Sequence, residues 1–151
     1  MESQDGTTDT WEWQRGKLVI SQPVLGVVLF TYDGYMTADV VPFIERTFDR
    51  VLAQGVRPDL FIDVERMTGY DSDYRQAVSR WGTRIQSRSG EHHFFVRSRL
   101  VAMGIAVSNL AAGGKLQATT KRPEFEAALA RAIARHSAPT GERSGGPGHG
   151  G

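Results

Sequence analysis

Two kinds of apolar pattern alternate along this chain, and that alternation limits its fold more than any other feature. Lys17-Leu18-Val19-Ile20, Val24 to Phe30 (VLGVVLF, continued by Thr31-Tyr32), Asp59–Val64 and His92–Val96 are short runs rich in β-branched and aromatic residues. Between them lie longer stretches with apolar residues every third or fourth position. Val40, Val41, Ile44, Phe48, Val51 and Leu52 form one such stripe. Tyr74, Ala77, Val78, Trp81 and Ile85 form a second, and Phe125, Ala128, Leu129, Ala132 and Ile133 a third. The first pattern suits strands and the second suits helices with one buried face. A chain that alternates them folds as α/β, with a largely parallel sheet and helices packed on it.

The punctuation agrees. Pro23 breaks the first strand, and the short connection to the next makes an antiparallel pair, so the sheet is mixed. Asp33-Gly34 signals a turn or bulge. Thr37 or Asp39 can cap the first helix, Pro42 fits its first turn, and Gly55 can stop it. Ser89-Gly90 ends the second helix. Leu100–Ala112 (LVAMGIAVSNLAA) is expected to be a short helix over the sheet edge, followed by a Gly113-Gly114 turn and a last strand, Leu116–Thr120. The expected order is ββαβαβαβα, with an opening hairpin and four helices in one domain over residues 11–136. Residues 1–10 are expected to be a disordered tail, and the Gly/Pro-rich residues 137–151 another.

With 151 residues, 40% of them hydrophobic and 23% charged, the chain is one ordinary globular domain. It has no cysteine, which excludes disulfides, thiolate metal sites and cysteine nucleophiles and fits a cytoplasmic protein. A net charge of +1 argues against a nucleic-acid binder. No apolar run approaches the ~20 residues of a membrane span. The polar, acidic start MESQDGTTDT does not look like a secretory signal. Trp11 and Trp13 could bury in the core or pair across a dimer, and the pattern leaves both open.

Function points to Asp63–Arg75, DVERMTGYDSDYR. It leaves a strand and enters a helix, the kind of turn where helix N–H groups stand unpaired. Asp71 and Ser72 both suit an N-cap, and the plain expectation is that Ser72 caps the helix and Asp73 complements its dipole. Asp63 could serve as a base or metal ligand, or bond the loop after it, but no residue completes a metal set with Asp71 and Asp73. His92 and His93 point to opposite faces of a strand and cannot share one ion. Arg80, Arg84 and Arg88 recur every fourth position, as a solvated face or a docking face for an acidic partner. No Gly-rich phosphate loop appears, and no cofactor is implied.

The element order and this turn resemble the STAS domain of bacterial anti-sigma factor antagonists (the SpoIIAA-like family). Asp63 ends the strand, Met67 and Tyr70 take the apolar positions, and Asp71-Ser72 falls where that family carries Asp-Ser. The chain departs from the pattern at Asp73-Tyr74-Arg75, where a small residue and Gly are usual. The resemblance implies a non-enzymatic regulator that binds a protein partner, with Ser72 the position phosphorylated by an anti-sigma kinase. Asp71, Ser72, Asp73, Arg75 and Arg80 would form the docking face. The alternative is a small-ligand or lipid-binding STAS-like module that uses Leu100–Ala112.

Overall fold

In the computed structural model, residues 2–5, 7–97 and 116–137 are described, the first four by their backbone alone. The described residues form one seven-stranded sheet whose spatial order is the chain order. The strands are β1 (Glu2–Asp5), β2 (Thr8–Trp13), β3 (Gly16–Val24), β4 (Val27–Met36), β5 (Asp59–Tyr70), β6 (His92–Phe95) and β7 (Leu116–Thr119). Pairing is antiparallel from β1 to β4 and parallel from β4 to β7. Three α-helices are described: α1 (Val41–Leu52), α2 (Ser72–Ile85) and α3 (Arg122–Ser137). The architecture is therefore α/β with a mixed sheet, as expected, but half of its pairings are antiparallel, because four strands and not a hairpin open the chain.

Several expectations need correction. Residues 1–10 are not simply a tail: Thr8–Thr10 open β2, and Glu2–Asp5 pair with it. Trp11 and Trp13 lie on a strand separate from Lys17–Ile20, the two being turned at Gln14-Arg15. Gly34 makes that turn fit. Its φ is +85°, and an added Cβ would lie 2.3 Å from the Arg15 carbonyl oxygen, so only glycine suits the position. Pro23 does not end β3. The strand continues to Val24 through a register shift between Ser21 and Val24, the irregular setting that an exposed proline tolerates. Ser137, expected in the C-terminal tail, closes α3. The fourth helix expected over Leu100–Ala112, and residues 138–151, lie outside the described residues.

Alternation along the strands sorts the side chains into two cores. Leu18, Ile20, Val28, Phe30, Tyr32 and Leu60 meet α1 and α2 on one face. Trp81 of α2 sits edge-on to Phe48 at 5.3 Å and 6.1 Å from Phe30, tying both helices to the sheet. On the other face Val27, Phe61 and Phe95 meet Phe125 and Ala132 of α3. Trp11 belongs to the first core and Trp13 packs half-buried beside it, which settles where these two rings lie within the chain.

Candidate functional site

The strand Asp59–Val64 is longer than its apolar run. It extends to Tyr70, because β4 offers a partner as far as Met36, which pairs with Tyr70. The turn expected within Asp63–Arg75 shrinks to Asp71. The Asp71 amide donates to the Met36 carbonyl at 3.2 Å and closes the ladder. Its backbone is still extended, with φ −89° and ψ 167°. Its Oδ1 accepts the Tyr74 amide at 2.9 Å, and its carbonyl accepts the Arg75 amide at 3.2 Å. Asp71 is therefore the N-cap of α2. Ser72, expected to be the cap, is instead the first helical residue, because β5 runs on to Tyr70 and leaves Asp71 extended at the helix entrance, and it is exposed.

Around this cap, Asp73 and Arg75 are exposed. Arg75 stands three residues after Ser72, a neighbour on the helix surface. Arg80 is exposed about two turns beyond Ser72, ~12 Å along the axis. Arg84, expected in the same row, instead pairs with Glu45 and bridges α2 to α1. Tyr74 is buried, and its ring lies 5.8 Å from that of Tyr70, which is 49% exposed. Burial pushes the Tyr32 hydroxyl up to about 12, although its hydrogen bond with Tyr74 lowers it. Burial, and then the neighbouring Tyr32, raise Tyr74 well above the ordinary value. The start of α2 is thus pinned from below by a neutral tyrosine pair and presents polar groups above.

Asp63 does not join this cluster. It lies ~26 Å of extended strand away from Asp71. Its Oδ1 accepts the Glu65 amide at 3.0 Å and its Oδ2 accepts from Arg122 at 3.0 Å, so its bond to the residues that follow is as expected. His92 is buried and lies 2.8 Å from the Ser89 hydroxyl, which also donates to the Ile85 carbonyl. His93 stacks on Phe61 at 4.6 Å and meets Glu91 at 2.9 Å. Among the described residues, no group of three or more His, Asp or Glu side chains could hold a metal ion.

Two features went unnoticed in the sequence. One is a groove of about 610 Å³ between α2 and the sheet, lined by Tyr32, Ile62, Val64, Val78, Phe94 and Leu116 among others. Its walls come from five separate elements, so no local pattern reveals it. The other is Arg15, whose guanidinium lies 4.0 Å from the Tyr35 ring centroid and 5.9 Å from that of Trp13. A hairpin tip followed by glycine was its only local sign.

Comparison with solved structures places this geometry. An uncharacterized protein of the DUF3478 family from Shewanella loihica PV-4, with a SpoIIAA-like fold, superposes with a TM-score of 0.62 at 13% identity, over 79% of this chain and 97% of that one. The anti-sigma factor antagonist SpoIIAA in its unphosphorylated form superposes with a TM-score of 0.57 at 14% identity, over 77% of this chain and 99% of that one. The fold is SpoIIAA-like. No family model matches the chain, and no curated protein does. Identities this low establish the SpoIIAA-like fold alone.

Proposed function

We propose that this chain is a non-enzymatic bacterial regulator, working in the cytoplasm, whose SpoIIAA-like domain docks a protein partner through the start of α2. Asp71, Ser72, Asp73, Arg75 and Arg80 form the contact face, and phosphorylation of Ser72 controls it. One observation carries the proposal: Asp71 caps α2, so the exposed Ser72 hydroxyl is spare. A phosphate there leaves the cap in place. It adds about −1.5 to −2 charges at the positive end of a helix, with Arg75 one turn on to pair with it. Asp71 and Asp73 oppose it, so the modified face repels an acidic partner more strongly.

The test compares wild type, Ser72→Ala and Ser72→Glu as baits in source-cell lysate, with phosphopeptide mapping of the chain purified from the same cells. A partner held by wild type and Ser72→Ala but lost by Ser72→Glu, together with phosphate on Ser72, supports the proposal. Equal retention by all three baits and an unmodified Ser72 removes it.

The groove favours a second reading, a small apolar ligand or lipid held between α2 and the sheet. Its walls are mainly apolar, with Ser79, Thr83 and His92 among the few polar residues, the usual make-up of a ligand site. Native mass spectrometry of the purified chain tests it. A co-purifying ligand that Val78→Trp abolishes supports this reading, and a bare mass at every stage counts against it.

A further inference from the structure

Helix α3 is attached to the sheet differently from α1. Among the described residues, α1 buries Val41, Phe43, Ile44, Phe48, Val51 and Leu52, whereas α3 buries Phe125 and Ala132 and packs Ala128, Leu129 and Ile133 half-buried beside them. Instead α3 has a charged grip at each end. In its first turn, Arg122 Nη2 donates to Asp63 Oδ2 at 3.0 Å and to Glu65 Oε1 at 2.7 Å, and the guanidinium lies 4.4 Å from the Phe95 ring centroid. In its last turn, Arg135 Nη2 and His136 Nε2 both reach Asp59 Oδ2 at 2.9 Å.

All three carboxylates come from β5, and the spacing matches. Arg122 and Arg135 stand ~20 Å apart along a helix, and Asp59 and Glu65 ~20 Å apart along a strand. The helix therefore lies antiparallel to β5, and both grips close at one placement. The grips are also uneven. The Arg122 and Arg135 side chains are 41% and 54% exposed, while those of Asp63 and Asp59 are 11% and 10% exposed. Water and salt reach the cations easily. A carboxylate that loses its cation is left poorly solvated.

We propose that α3 is a clasped helix: its thinner apolar face needs both grips to stay on the sheet, and breaking either lets it open as a unit and uncover Val27, Phe61 and Phe95. The groups facing the grips are few among the described residues. Arg135, His136 and the Glu91 amide face Asp59, while the Glu91 carboxylate is engaged with His93. Arg122 faces Asp63 and Glu65, and Glu126 shares it at 3.3 Å.

Hydrogen exchange followed by mass spectrometry on the full chain tests the clasp. Wild type, Arg122→Gln and Arg135→Gln are compared at low salt. Both variants alter half-exposed side chains and should fold. The α3 peptides should exchange about tenfold faster or more in each variant, with α1 peptides unchanged. About 1 M salt should move wild-type α3 the same way and the variants much less. Unchanged α3 exchange in both variants overturns the proposal. So does equal acceleration of α1 and α3, which marks global opening.

Discussion

Which of two adjacent residues caps a helix decides which one is available for chemistry. Asp71 carries the cap in α2, so Asp71→Ala should lower stability by about 1 kcal/mol, and Ser72→Ala should change it by much less. Thermal melts of the two variants check this, and a reversed order would make Ser72 the cap. Beneath the cap, the Tyr32–Tyr74 pair has hydroxyls raised by burial. A raised phenol favours the fold below the ordinary tyrosine range near 10, and that contribution is lost as pH rises through the folded values. A spectrophotometric titration should show two of the four tyrosines ionising only with alkaline unfolding. All four phenolates appearing reversibly in the folded chain near pH ~10 would show this pocket open to water. At this scale the sequence supplied a short list. Asp71 and Ser72 were equally good caps by residue type, and the choice followed from β5 reaching Tyr70 and leaving Asp71 extended at the helix entrance.

Between elements, Asp59 joins β5 to α3 and to the loop before β6. Burial alone would raise its carboxyl, but the bonds from His136, the Glu91 amide and Arg135 outweigh it and hold the carboxyl below its ordinary 3.8. A depressed carboxyl contributes stability above its unfolded value, and that contribution is lost as pH falls through the folded one. The melting temperature of wild type should therefore fall more steeply below pH ~4 than that of Asp59→Asn. Parallel curves would show that the carboxylate is not linked to folding. Gly90 belongs to the same junction: an added Cβ would lie 2.2 Å from Asp59 Oδ1. On the opposite face, Trp81 holds α2 against Phe48 and Phe30, and Trp81→Ala should cost about 3–5 kcal/mol by denaturant unfolding. The helices were legible because each carries its stripe within a dozen residues. The far half of β5 was not, because Glu65-Arg66-Met67-Thr68 has no strand-like run and is extended only because β4 lies beside it.

Across the whole molecule, the first two strands widen the sheet and bring Trp11 into the main core. A chain that begins at Gly16 should lose about 3 kcal/mol or more, the scale of removing a large aromatic from a core, and melt correspondingly earlier. An unchanged melt would make the added strands dispensable. The sequence alone determined the alternation of strands and helices, the mixed sheet with its parallel half and the buried stripe of each helix, because these depend on periods of two and 3.6 within short windows. The tertiary structure decided the rest. Arg122 meets Asp63 across 59 residues and Arg135 meets Asp59 across 76, and the groove takes its walls from five elements. Such contacts depend on where the sheet brings distant segments, and local pattern does not encode that.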